Sequence, residues 1–375
     1  MKTALCLFSL AAASLTAQTW SPQAAAGYLD GRLQWWSTWS GAQRDHDTFC
    51  ISCHTVLPYA LGRPALRSAL GETAPSSPEV ALLANLTKRV RQWQEVAPFY
   101  PDATRGAGKT RESRGTEAIL NALALLALHA PLADTTLALD NMHGEQVTSG
   151  DAAGAWPWLQ FHNAPWEGDS QFMGATLAAL ALGRAPAAYQ AKPTVQPVLG
   201  NLRRYLAAQR PHQTLLDRLL LAWAANSLSG LLTREERLAT LHEAVSKQQD
   251  DGGFSLSQFV GPWKRKPWKR KPWKRKDDTP LETRSDGYAT GVVALVMRES
   301  GMSASAEPLR RTLAWLSRNQ DSAEGRWPAW SLNKNRELNS DAGRFMSDAA
   351  TAFAVMALSG EKQAPPVTYL QHPGK

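Results

Sequence analysis

The sequence predicts an all-α protein built from repeated helix pairs, and three observations support this prediction. Apolar residues recur at steps of three and four along most of the chain after residue 78, as on the buried face of a helix. No segment alternates apolar and polar residues as a half-buried strand does. Gly, Pro, Asp and Ser are found in the segments between the predicted helices. The predicted helices are 79–96, 116–130, 134–148, 169–183, 197–208, 213–228, 234–249, 285–300, 307–320 and 347–359.

Charge gives no evidence for a nucleic-acid partner. The chain has 41 Lys and Arg against 33 Asp and Glu, a net charge of +8. Nine of these basic residues lie in residues 262–276, PWKRKPWKRKPWKRK, so the rest carries 41 − 9 = 32 basic residues against 33 acidic ones. Because the charge belongs to one insert, we expect no nucleic-acid binding. The prolines predict an extended, exposed loop. Its Trp, Lys and Arg side chains suit anionic lipid headgroups or single-stranded nucleic acid, and a repeat without a selected role is the alternative.

The N-terminus reads as an export signal. Lys2 precedes an apolar run from Ala4 to Ala17, which suits the core of a signal peptide and is too short to span a bilayer. A buried N-terminal helix is the alternative. Cleavage after Ala17 would remove Cys6 and leave two cysteines in an exported, periplasmic protein.

Those two cysteines belong to the sequence Cys50-Ile51-Ser52-Cys53-His54. Two thiols one helical turn apart can reach the two vinyl groups of haem, and the adjacent histidine can bind the iron. The segment resembles the attachment motif of c-type cytochromes, a family whose haem attachment requires export. The resemblance implies haem c bound covalently through Cys50 and Cys53, with His54 as the proximal iron ligand.

Other interpretations of the two cysteines stay open. A thioredoxin-like redox pair would follow a strand, and none is predicted there. A zinc site would need further ligands, of which His46 is one candidate. A plain disulfide is the third alternative. The second axial ligand of a haem iron is not identified by the sequence. Its candidates are His46, Met142, His143, His162 and Met173.

Helix starts recur along the chain. Ser285–Gly291, Ser347–Ala352 and Gly168–Thr176 combine a Ser or Asp that can cap a helix with small residues that allow close approach, and Arg114–Glu117 reads as a degenerate copy. These starts predict inner helices beginning near Thr116, Asp169, Leu215, Asp286 and Asp348.

Glycine–aromatic joints recur as well. They read Gly154–Trp158, Gly252–Phe254 and Gly325–Trp330, and Gln248 and Gln320 precede the last two. Each Gln is expected to bond to the end of a helix. The joints resemble the QW motifs of squalene–hopene cyclases and related terpene cyclases. Over residues 79–360 the resemblance implies an α/α toroid of paired helices, preceded by an N-terminal haem-binding segment.

The chemistry of that family does not carry over. The acid motif DxDD of bacterial squalene–hopene cyclases is absent from the sequence, and the pairs Asp250-Asp251 and Asp277-Asp278 stand in loop sequence. The predicted toroid contains no Cys for the zinc of prenyltransferases. We therefore expect no activity as a squalene cyclase or prenyltransferase, and no catalytic residue is assigned.

The sequence thus predicts a signal peptide at 1–17, a haem-binding segment at 18–78, and a toroid at 79–375 with its insert at 262–276. The predicted function is electron transfer or haem sensing with a redox partner protein, on a toroid scaffold. The alternative is a haem-dependent oxidoreductase, or an enzyme that binds a lipid or isoprenoid in the toroid cavity. A carbohydrate-active toroid is a weaker alternative, because no carboxylate pair can be assigned.

Overall fold

The structure is a computed structural model that describes residues 20–160, 171–260 and 274–360, with the backbone of two strands between 263 and 271. The described residues are mostly helical, which confirms the all-α prediction. The predicted signal peptide, Asp169 and His162 lie outside them. The helices are α1 Pro22–Thr38, α2 Val56–Leu70, α3 Ser77–Arg91, α4 Asp102–Arg105, α5 Lys109–Ala127, α6 Leu132–Gly144, α7 Gln171–Arg184, α8 Ala187–Gln190, α9 Gln196–Gln209, α10 Leu215–Ala224, α11 Arg234–Val245, α12 Gly287–Glu299, α13 Glu307–Arg318 and α14 Asp341–Ser359, with short 3₁₀ helices at Arg210–His212 and Leu256–Gln258.

All ten predicted helices are present, and α1 and α2 are added within the segment 18–78. Two predicted helix starts are wrong. Helix α5 begins at Lys109, so Thr116 lies inside it and does not start a helix. Helix α14 begins at Asp341, capped by Ser340, so Asp348 lies inside the helix and the prediction of a helix start there is wrong. The prediction is confirmed at Asp286, whose side chain accepts the Ala289 backbone N–H.

Six helices pack side by side in chain order. The packed pairs are α2 with α5, α5 with α7, α7 with α10, α10 with α12, α12 with α14, and α14 with α2. The remaining long helices pack against this set: α1 on α2 and α14, α3 and α6 on α5, α9 on α7, α11 on α10, and α13 on α12 and α14. One hydrophobic core runs through both groups and includes buried residues of α1 and α2. None of the described helices has the length and apolar character needed to cross a membrane.

The predicted joints share one hydrogen-bond pattern. A glutamine side chain donates to the carbonyl of the joint glycine and to a second carbonyl, which lies in the first turn of another helix or in the residue before it. The bonds therefore secure the N-terminal end of another helix, which confirms the expected bond to a helix end. Gln146, which the sequence pattern did not reveal, belongs to the first joint. The donor glutamines, each followed by the two residues whose carbonyls accept, are Gln146 with Gly154 and Val198, Gln248 with Gly252 and Pro308, and Gln320 with Gly325 and Ser21.

The last joint connects the two ends of the described chain. The Gln320 amide donates to the Ser21 carbonyl at 3.0 Å and accepts the Ser21 backbone N–H at 2.6 Å, so α13 is bonded to the cap of α1. Trp327 completes the joint by donating its indole N–H to Leu316 in the last turn of α13, at 2.8 Å.

The Trp-basic insert forms a two-stranded antiparallel ribbon in its described backbone, β3 Trp263–Lys266 and β4 Lys269–Lys271. A second short ribbon, β1 Gln43–Arg44 with β2 Thr48–Phe49, precedes the cysteine motif. Arg275 at the end of the insert is 4% exposed and donates to the carbonyls of Ser331 and Pro280. The expectation of a wholly exposed insert is wrong for this residue.

Candidate cofactor site

The segment from Cys50 to His54 lies between β2 and α2, and three elements fix its start. Trp36 of α1 donates its indole N–H to the Cys50 carbonyl at 2.8 Å, and the Cys50 N–H donates to Ala42 at 2.9 Å. Asn85 of α3 bonds to both backbone groups of Phe49, at 2.9 and 3.0 Å. The backbone entering the motif is therefore fully hydrogen-bonded.

Ser52 forms the turn that leads from the motif into α2. Its hydroxyl accepts the backbone N–H groups of Thr55 and Val56, at 3.3 and 3.1 Å, and its carbonyl accepts that of Leu57 at 3.0 Å. A serine used in this way satisfies amides at the N-terminus of a helix. Cys53 and His54 are thereby fixed directly before α2, on the side where α14 packs.

The two cysteines differ in environment and are not joined as a disulfide. Cys50 is 1% exposed, and burial raises the pKa of its thiol well above the usual range. Cys53 is partly exposed. Because the thiolate is the reactive form, the folded chain protects Cys50 twice, by enclosure and by its raised pKa.

His54 is partly exposed and lies between aromatic side chains from two helices. Its ring stacks on Phe345 of α14 with centroids 3.9 Å apart, and it meets Trp36 of α1 edge-on at 5.1 Å. Burial, with smaller contributions from Arg32 and Arg336, lowers the pKa of His54 to about 3. The imidazole is therefore neutral at physiological pH, which is the form that binds a metal.

A chain of hydrogen bonds leads from His54 to a buried carboxylate. The Nδ1 atom of His54 is 3.0 Å from the Thr55 hydroxyl, which donates to Oδ2 of Asp348 at 2.6 Å. Asp348 also accepts from Tyr28 at 2.7 Å and from Arg32 at 2.9 Å. The sequence did not reveal this hydrogen-bonded group. Asp348 resembled a helix cap, and Thr55 lies outside the cysteine–histidine motif.

The donor set fits haem. A neutral His54 with Nδ1 bonded has Nε2 as its iron-binding atom, and the two thiols stand at the spacing that attachment requires. Trp36 and Phe345 place apolar surface against the His54 ring. Cys50 is enclosed, so a group that reacts with its thiol would have to reach it before the segment closes into its folded position.

The ring of His54 contacts Trp36 of α1 and Phe345 of α14, and the described candidates for a second axial ligand lie on other elements. His46 lies in the β1–β2 turn, Met142 and His143 in the last turn of α6, and Met173 in the first turn of α7. Within residues 20–160, 171–260 and 274–360, no three His, Cys, Asp or Glu side chains converge as they would around a metal ion.

No protein-family model and no curated protein matches this sequence. The candidate site is therefore argued from its own geometry.

We expect Cys53 to be alkylated at least about ten times faster than Cys50 in the folded, haem-free chain, because only Cys53 is accessible. Timed labelling with iodoacetamide, followed by mass spectrometry of the two labelled positions, measures both rates. In guanidinium chloride the two rates should become similar. Equal rates in the folded chain would contradict the enclosure of Cys50.

Proposed function

We propose that this chain is an exported c-type haem protein that transfers electrons. Cys50 and Cys53 hold the haem covalently, and Nε2 of His54 binds its iron. When bound, haem supplies reversible one-electron transfer at its iron. Residues 1–17 serve as the export signal, and a redox protein is the expected partner.

The environment of His54 carries this proposal. A histidine that follows a CxxC pair is neutral, is bonded through Nδ1, and lies between aromatic rings from α1 and α14. In metal sites the second ring nitrogen usually donates to an oxygen acceptor, which fixes the ring orientation. A histidine serving only as core packing would not need this arrangement beside two thiols.

We infer further that the helices close into an α/α toroid. The inner helices would be α2, α5, α7, α10, α12 and α14. What supports the inference is that each packs on the next and that α14 packs on α2. The joints at Gly154, Gly252 and Gly325 would then link successive outer helices, the last one running from α13 to α1. The toroid acts as a rigid scaffold that positions the haem segment against α14.

Replacing Cys50 and Cys53 together by serine should abolish covalent haem. The experiment expresses the full chain with a c-type maturation system and stains a denaturing gel for haem peroxidase activity. Thioether bonds survive denaturation, whereas the iron–histidine bond does not, so the wild-type band should stain and the Cys50→Ser/Cys53→Ser band should not. His54→Ala should impair attachment and alter the iron spectrum.

Cys6→Ser is the matched control, because this cysteine lies within the proposed signal and its loss should leave staining unchanged. Staining that persists in the double variant would overturn the assignment, as would a wild-type chain that never stains. The optical spectrum of the reduced protein then distinguishes the functions. A six-coordinate low-spin haem supports electron transfer, whereas a high-spin haem that binds CO rapidly supports an oxidoreductase.

A further inference from the structure

Asp348 is surrounded by hydrogen-bond donors inside the fold. Its side chain is 1% exposed and lies in α14. Oδ1 is 2.7 Å from the Tyr28 hydroxyl and 2.9 Å from Nε of Arg32, and Oδ2 is 2.6 Å from the Thr55 hydroxyl. Burial raises the pKa of Asp348, and the Arg32 guanidinium opposes that rise.

The available hydrogens fix the direction of each bond. An arginine can only donate, and ion pairing with Arg32 favours Asp348 as a carboxylate, which can only accept. Thr55 therefore donates its single hydroxyl hydrogen to Asp348. With that hydrogen used, the Thr55 oxygen can only accept from His54 Nδ1, 3.0 Å away.

We propose that Thr55 and Asp348 are positioning residues that hold His54 as the Nδ1–H tautomer and present Nε2 as the metal-binding atom. The role at the iron rests on the proposed function, whereas the tautomer does not depend on haem. Thr55 and Asp348 are 293 residues apart in sequence. The ligand is therefore oriented only when α14 has docked against α2.

The relay also affects the strength of the ligand. A carboxylate at the end of the hydrogen-bond chain polarises the Nδ1–H bond and makes Nε2 a stronger donor. A stronger donor stabilises the oxidised iron more than the reduced iron. With haem bound, loss of either relay residue should therefore shift the reduction potential to more positive values.

The direct test is the tautomer of His54 in the full mature chain without haem, on the Cys50→Ser/Cys53→Ser background. Long-range ¹H–¹⁵N NMR of protein labelled in its histidine rings distinguishes Nδ1–H from Nε2–H, and His54→Gln assigns the signal. We expect mainly the Nδ1–H form in this background. Thr55→Val should shift the population to mainly Nε2–H, and Thr55→Ser should restore Nδ1–H.

Tyr28→Phe is the matched control, because it removes a bond to Oδ1 of the same carboxylate and leaves the Thr55 bond in place. It should lower the melting temperature without changing the tautomer. If Thr55→Val does not fold, Asp348→Asn serves as the second variant and should give a mixture of tautomers. A Nδ1–H signal unchanged in a folded relay variant would overturn the proposal. Failure to bind haem would overturn the proposed function and leave this result intact.

Discussion

Replacing Gly325 by alanine is expected to lower the free energy of unfolding by about 2–4 kcal/mol. Gly325 has φ of +78°, a conformation that is strained for residues with a side chain. A Cβ atom there would overlap the carbonyl oxygen of Ala24 and lie 2.8 Å from its Cβ atom. Ala24 belongs to the first turn of α1, so the substitution would separate α1 from the joint after α13. Urea unfolding followed by circular dichroism measures the effect.

Gly150→Ala is the matched control for backbone strain. Gly150 has φ of +76°, and its Cβ would meet no heavy atom within 4 Å. Its substitution should therefore cost only about 1 kcal/mol, the penalty of the left-handed conformation alone. Equal losses for the two variants would show that close approach to α1 contributes nothing.

The joint glycines show what a repeat in the sequence can predict and what it cannot. It identified Gly154, Gly252 and Gly325 as equivalent positions, and all three have positive φ. The structure adds what each one packs against. A Cβ would meet backbone carbonyls of α9, α13 and α1 respectively. A repeat in sequence reveals the joint, but the helix that it contacts follows from tertiary packing.

The two long helices that the sequence did not predict, α1 and α2, illustrate the limit of periodicity. Helix α2 contains Pro64 and Gly62, both unfavourable inside helices. The structure explains Gly62, since a Cβ there would lie 3.1 Å from the Cα of Ala352 in α14. Close packing between α2 and α14 outweighs local propensity, and local pattern cannot reveal it.

The candidate site was only partly predictable from the sequence, because part of it also depends on long-range packing. Cys50, Cys53 and His54 are adjacent in sequence and form a known spacing, so the motif was visible. Asp348 reaches His54 through Thr55 across 293 residues, and the start of α14 lay earlier than the pattern suggested. A single sequence does not indicate which distant carboxylate faces a histidine.

The second large effect is expected at Glu117, whose carboxylate pairs with the Arg89 guanidinium, both side chains being 0% exposed. Glu117→Ala should lower the free energy of unfolding by about 3–5 kcal/mol, since it leaves a buried cation without its anion. Arg91→Ala, on the helix that carries Arg89, is the control. Arg91 pairs with Asp134, which is 5% exposed, but Arg91 itself is 62% exposed, so water can reach the Asp134 carboxylate once the arginine is removed. Its loss should therefore cost less than the loss of Glu117.

The buried pair also supports the entry to the cysteine motif. Arg89 donates to the Thr48 hydroxyl at 2.6 Å, two residues before Cys50. Loss of Glu117 should free this arginine to move and loosen β2, so alkylation of Cys50 should accelerate in Glu117→Ala and not in Arg91→Ala. Replacing Arg89 by Met together with Glu117 by Leu removes both charges and should recover much of the stability. If alkylation of Cys50 remains fast in that double variant, the hydrogen bond from Arg89 to Thr48 is what keeps the motif closed. If its rate returns to the wild-type value, packing of α3 against α5 is sufficient.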